Sequence, residues 1–172
     1  MSTISASTIE RDLVVFQVHM KDNHDIGNST SFVRQSCIDT VKVHMNDGGF
    51  TIAADGVTFP ETGYYVIGCS MYYRAATASD TNKRVAPEMK FYNQTQSANL
   101  GGSGSIAGMA YCRNLSSSGY SGPRRSSSMI TQIAQVSAND VIAIYLRRST
   151  SNSNATAVEM FDNSIMWAFK IQ

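Results

Sequence analysis

Cysteine is scarce in this chain, with three in 172 residues, at Cys37, Cys69 and Cys112. An odd number at such wide spacing does not make a disulfide framework, and each sits in or beside a strand-like run, so buried reduced thiols are expected. Excess charge is absent too. Fourteen basic against thirteen acidic residues leave a net charge of +1, which gives no overall electrostatic footprint for nucleic acid or an anionic membrane, and neither is expected as a partner. No apolar run approaches the roughly eighteen residues of a membrane span. The opening stretch, MSTISASTIERD, lacks the basic start and apolar centre of a secretory signal, so the chain is expected to be neither secreted nor anchored. Without such a signal the Asn-x-Ser/Thr patterns at Asn28, Asn93, Asn114 and Asn154 are chance in a chain rich in these residues.

Motifs that carry chemistry are missing as well. Gly102, Gly104 and Gly108 miss the dinucleotide spacing by one residue and precede no helix, so this segment reads as a flexible loop. The stretch Gly119-Tyr120-Ser121-Gly122-Pro123 only approaches a nucleophile elbow. His19, His24 and His44 stand at no zinc-pair spacing and default to core or surface histidines. Asp22-Asn23-His24-Asp25 has oxygens for Ca²⁺ but not the twelve-residue loop that holds the ion, and Pro123-Arg124-Arg125 reads first as a solvated loop tip. No catalytic residue, cofactor or metal site is therefore expected.

What the chain does have is strand pattern. Pro60-Glu61-Thr62-Gly63 is a turn signal, and the eleven residues after it favour β structure. Tyr65, Ile67, Cys69, Met71 and Tyr73 form one uncharged face of that strand and belong in a core. Tyr64, Val66, Gly68, Ser70 and Tyr72 form the other, half apolar where a solvated strand carries charge, so something covers it too. Further strands are expected at 13–20, 32–37, 38–45, 50–53, 89–93, 106–113, 128–136, 141–148, 158–161 and 165–171, with hairpin signals at Asn46-Asp47-Gly48-Gly49 and Ala54-Asp55-Gly56. In 128–136 the spacing of Ile130, Ile133 and Val136 also fits a helical turn, but the flanking loops favour a strand. About ten short strands and no amphipathic helix make an all-β sandwich or barrel, one domain over 13–172 behind a polar arm at 1–12. The strands at 141–148 and 165–171 are apolar on both faces, like the long one, and a two-layer sandwich buries only one face of each sheet. Doubly apolar strands therefore argue for cover by other subunits.

Four stretches together resemble the trimeric jelly-roll superfamily of tumour necrosis factor and the complement globular heads. They are Asn46-Asp47-Gly48-Gly49-Phe50-Thr51-Ile52, Phe59-Pro60-Glu61-Thr62-Gly63-Tyr64-Tyr65, Asn139-Asp140-Val141-Ile142 and Trp167-Ala168-Phe169. The resemblance implies a ten-stranded jelly roll assembled as a homotrimer, with the long, later and terminal strands in one sheet around the threefold axis. On that reading the subunit contact is expected at Tyr64, Val66, Tyr72, Val141, Ala143, Tyr145, Met166 and Ala168. Neither a collagen repeat nor a heptad accompanies the head. A head of this kind without a stalk resembles the decoration, or cement, proteins of bacteriophage capsids. The expected role is thus a non-enzymatic virion protein, made in the host cytoplasm, that binds the major capsid protein shell. Ser2, Thr3, Ile4, Ile9 and Arg11 of the arm are the expected docking residues, since linked weak contacts add up in a trimer. The alternatives are the receptor-binding head of a phage fibre and a soluble complement-type head.

Overall fold

The computed structural model describes residues 14–27, 29–75, 84–85, 87–101, 112–113, 125–148, 158–160 and 163–171. In chain order its strands are β1 (Val15–Met20), β2 (His24–Asp25), β3 (Val33–Arg34), β4 (Ile38–Asp47), β5 (Thr51–Ala53), β6 (Gly56–Thr58), β7 (Gly63–Ala75), β8 (Arg84–Val85), β9 (Pro87–Asn93), β10 (Ala98–Asn99), β11 (Cys112–Arg113), β12 (Arg125–Val136), β13 (Val141–Arg148), β14 (Val158–Met160) and β15 (Ile165–Lys170). Among the described residues there are fifteen strands, short pieces such as β2 and β10 pairing at the sheet edges. The expected arm, and most of the strand expected at 106–113, lie outside the described residues.

The long strand β7 is central. β12 pairs with it from Arg125 opposite Arg74 to Val136 opposite Gly63. Its other edge is shared by β15, along residues 65–70, and β14, along residues 73–75. Ser164, fully buried between those two strands, bridges the gap with its hydroxyl, which accepts from the Tyr72 N–H at 2.8 Å and donates to the Tyr72 carbonyl at 3.2 Å. β1 then pairs with β15, and β4 with β1. The second sheet runs β10-β9-β13-β6-β5, with β3 beside β13. A two-stranded ribbon, β8 with β11, completes the described pairing, all of it antiparallel.

One result departs from the sequence expectation. Strand β13 does not share the sheet of β7 but lies in the opposite one, between β9 and β6. The turn that precedes it is a crossover between layers and not a hairpin. Asn139 enters it with a φ of 69°. Asp140, 2% exposed, accepts through Oδ2 from Asn93 Nδ2 at 2.8 Å, Gln96 Nε2 at 2.7 Å and the Ser137 N–H at 2.9 Å. Three donors converging on one buried oxygen tie the crossover to the end of β9.

The core lies between the sheets. Tyr65, Ile67, Cys69, Met71 and Tyr73 are all buried, as the alternation requires, and face Met89, Phe91, Ile142, Ile144 and Leu146 of the second layer's strands. At one end Phe16, Phe50, Phe59 and Tyr65 interlock, with Phe59 edge-on to Tyr65 at 4.8 Å and Phe16 tilted on Phe50 at 4.8 Å. The turn at Asn46–Gly49 delivers Phe50 into this cluster. Gly48 and Gly49 take φ of 102° and 82°, values that β-carbon residues avoid. Asn46 closes the turn by donating to the Phe50 carbonyl at 2.8 Å and accepting from its N–H at 3.0 Å. In β12, Ile130 and Val136 point inward and Ile133 outward, so the run of three isoleucine and valine positions follows a strand and not a helical turn.

Cys37 and Cys69 are buried free thiols. Burial pushes Cys37 up from 9.0 to about 12, a nearby backbone hydrogen bond and Lys21 opposing weakly. Cys69 lies well above 9.0 for the same reason, with Cys37 adding to the rise. The Tyr65 hydroxyl, which donates to the Glu61 carbonyl at 2.9 Å, rises from 10.0 to about 12 through burial and then the Glu61 charge. All three groups hold their protons more tightly folded than unfolded. Their contribution is therefore complete below about pH 9 and is lost as pH climbs toward about 12. Urea midpoints should be level through neutral pH and fall across that alkaline window, while neither thiol reacts with a thiol reagent until the chain is unfolded. Asp140→Ala should cost about 2–4 kcal/mol by denaturant titration, because three donors lose their acceptor and two belong to part-buried or buried side chains.

Candidate assembly face

The outer surfaces of the two sheets differ in what covers them. On the second sheet, β13 places Ala143, Tyr145 and Arg147 opposite Tyr92, Lys90 and Glu88 of β9. Tyr92 and Tyr145 pack at 4.9 Å, and Lys90 stands 4.5 Å over the Phe32 ring and 5.7 Å over that of Tyr145. Arg147 also lies 4.5 Å over Phe32 and pairs with Glu88 at 2.6 Å. Lys90 Nζ donates to Asn99 Oδ1 at 2.7 Å, and Gln94 Nε2 donates to the Tyr145 hydroxyl at 2.6 Å. Burial lowers the Lys90 pKa, with Arg147 adding to the effect. Side chains of the same protomer thus form a roof under which Ala143 is fully buried.

Among the described residues the sheet of β7 has no such roof. Its register places Ile133, Val66, Phe169 and Val15 in one row across four strands, then Thr131, Gly68, Trp167 and Gln17, then Met129, Ser70, Ile165 and His19. None of these twelve positions is Asp, Glu, Lys or Arg. Among the described residues nine large hydrophobics are exposed, and all but Val33 lie on strands of this sheet or directly after β15. Met129 and Ile133 are the extremes within the rows, at 66% and 65% exposed. Monomeric proteins seldom leave a contiguous apolar surface of this kind to water.

Gly68 gives the face its shape. A β-carbon there would meet Trp167 Cζ2 at 2.1 Å, so the indole lies flat on the bare backbone of β7, and Phe169 stacks with it at 6.0 Å and 10°. Any larger residue at 68 would lift the ring off the sheet.

The eight positions expected at a subunit contact separate into three groups. Tyr64, Val66 and Tyr72 lie on this outer face. Val141, Ala143 and Tyr145 lie on the outer face of the other sheet, under or within its roof. Met166 and Ala168 are fully buried in the protomer's own core, one residue out of phase with the outward Ile165, Trp167 and Phe169. No single face carries all eight. Outward on the β7 sheet, and not among the eight, are Trp167 and Phe169, whose alternation was visible but whose phase was not, and Met129 and Ile133. The docking residues Ser2, Thr3, Ile4, Ile9 and Arg11 lie outside the described residues. The carboxyl groups of Asp22 and Asp25 accept from the N–H groups of Asn23 and Gly27, and among the described residues no three His, Cys, Asp or Glu side chains converge.

No family model matches the sequence, and no curated protein sequence matches it. Solved structures do match in shape. Eiger TNF from S. frugiperda superposes with a TM-score of 0.52 at 14% identity, over 94% of this chain and 94% of that one. Murine APRIL superposes with a TM-score of 0.50 at 14% identity, over 91% of this chain and 99% of that one. The chain is an all-β, two-sheet jelly roll of TNF-like type.

Gly68→Ala should leave a folded protomer, at a cost of about 1–3 kcal/mol for the displaced ring. The emission of Trp167, the lone tryptophan, should shift to the red as the indole leaves the sheet. Unchanged emission would show that the ring does not rest on Gly68.

Proposed function

We propose that this chain is a non-enzymatic jelly-roll head that works as a homotrimer, with the outer face of β12, β7, β15 and β1 as the subunit contact. The observation that carries the reading is the uncharged apolar face itself, with Met129, Ile133, Tyr64 and Phe169 exposed on it. Charge on edge strands and solvated faces is the usual protection against association, and these rows have none. The resemblance to the tumour necrosis factor superfamily, whose members pack this sheet about a threefold axis, supplies the number three.

For the trimer's role the reading is a structural protein of a virus particle, decorating a bacteriophage capsid through the major capsid protein and made in the host cytoplasm. Support comes from the polar composition of residues 1–12, and from buried thiols at Cys37 and Cys69 that suit folding in a reducing compartment.

Two experiments test the two levels. In light scattering after size exclusion the chain should run at three times its 18.7 kDa mass. Ile133→Arg should run as a folded monomer, because the side chain is free in the protomer but an unpaired charge when buried between subunits costs several kcal/mol. A wild-type monomer, or an Ile133→Arg trimer, overturns the assembly reading. Immunogold labelling of purified virions should give regular label over the shell. Label confined to fibre tips would move the role to a receptor-binding head, and no label would remove the virion reading.

A further inference from the structure

His19 and His44 are too far apart in sequence to read as a ligand pair, yet the fold brings their rings together. Their Nε2 atoms are in direct contact, with ring centroids 4.5 Å apart and the planes at 48°. His19 is outward-facing on β1, opposite Ile165 of β15. How His44 reaches it is visible in the ladder. Gln17 pairs with Met45 but the next residue, Val18, pairs with Val43, so His44 is the extra residue of a bulge in β4. A bulge re-aims one side chain and bends its strand locally. Here the re-aimed side chain is the imidazole that meets His19.

Two neutral imidazole nitrogens in contact need one proton between them, since one must donate and the other accept. A metal ion can take the place of that proton and use both lone pairs. We infer that His19 and His44 form a binding site for a divalent transition-metal ion, with Cu²⁺ held more tightly than Ni²⁺ or Zn²⁺. Imidazole suits these three metals, and nitrogen ligands rank them in that order. No third His, Cys, Asp or Glu joins the pair among the described residues, so the site is argued on these two imidazoles alone. The pair is exposed, and an ion reaches it from solvent with only the small ring rotation needed to place each nitrogen about 2.0–2.1 Å from a metal. Both ligands come from one protomer, but His19 stands in the last row of the proposed subunit contact, on β1 beside β4. The titration is therefore run on the Ile133→Arg chain as well as on wild type: binding by the Ile133→Arg chain alone means that assembly covers the site, and binding by neither overturns it.

Cu²⁺ titration of the full chain at neutral pH, followed by calorimetry and electron paramagnetic resonance, tests it. The expected result is one ion per chain with hyperfine splitting from two imidazole nitrogens. His19→Gln and His44→Gln should each weaken binding by at least about 10- to 100-fold, the range found when mere outer-sphere partners are lost. His24→Gln, whose ring hydrogen-bonds Gln35 at 3.1 Å elsewhere in the structure, should bind like wild type. Either of the first two substitutions leaving the affinity unchanged overturns the site, as does loss of binding in His24→Gln or a bound-ion spectrum without two imidazole nitrogens.

Discussion

Everything in this fold hangs on one strand that is hydrogen-bonded along both edges and has to find cover for two faces. β7 takes β12 on one side and β14 with β15 on the other. Its inward side chains find the second sheet. On its outer side Trp167 lies across Gly68, flanked by rows of uncharged residues on β12, β15 and β1. A strand in the middle of a sheet cannot twist away or be trimmed as an edge strand can. Among the described residues nothing covers its second face as the second sheet covers its first, and the proposed assembly face rests on that constraint and not on any single residue.

The other sheet met the same problem and solved it inside the protomer. β13 is as apolar on its outer side as β7, yet Phe32, Lys90, Tyr92, Tyr145 and Arg147 close over it. Long cationic side chains serve this purpose because their stems cover apolar surface while their charge lies over an aromatic ring or beside a carboxylate. Glu88 provides that carboxylate, so the roof is neutralised as well as closed. The contrast turns on what stands opposite each strand. Lys90 and Glu88 lie on β9 beside β13, whereas the outward neighbours of β7 are Met129, Thr131 and Ile133 on one edge and Ile165, Trp167 and Phe169 on the other.

β4 shows how the first sheet ends. Residues 40–47 are exposed on both sides of the bulge at His44, and Val41, which alternation alone marks as part of an apolar face, is 89% exposed. The register shifts along β1 and β4 let this edge strand diverge while its start, Ile38, stays buried. Two irregularities stand side by side here: the bulge at His44 brings the two imidazoles together, and the second shift, between Val18 and Met20, sets residues 39–42 off the ladder.

Period-two alternation and turn residues, read from the sequence alone, determined that the chain is all-β, which residues of β7 face the core, where the turns at Asn46–Gly49 and Ala54–Gly56 fall, and that some strands are apolar on both sides. These properties are local, set by backbone preference and by neighbours one or two positions away. Alternation cannot tell which of two apolar faces points inward, because the pattern is the same in either phase. Met166 and Ala168 in place of Trp167 and Phe169 show the consequence. Only the tertiary structure decided that phase, placed β13 in the opposite sheet, built the roof over Ala143, and brought His19 to His44 across a bulge. Each of these depends on which distant segment lies alongside, and that pairing is settled by packing the whole core at once.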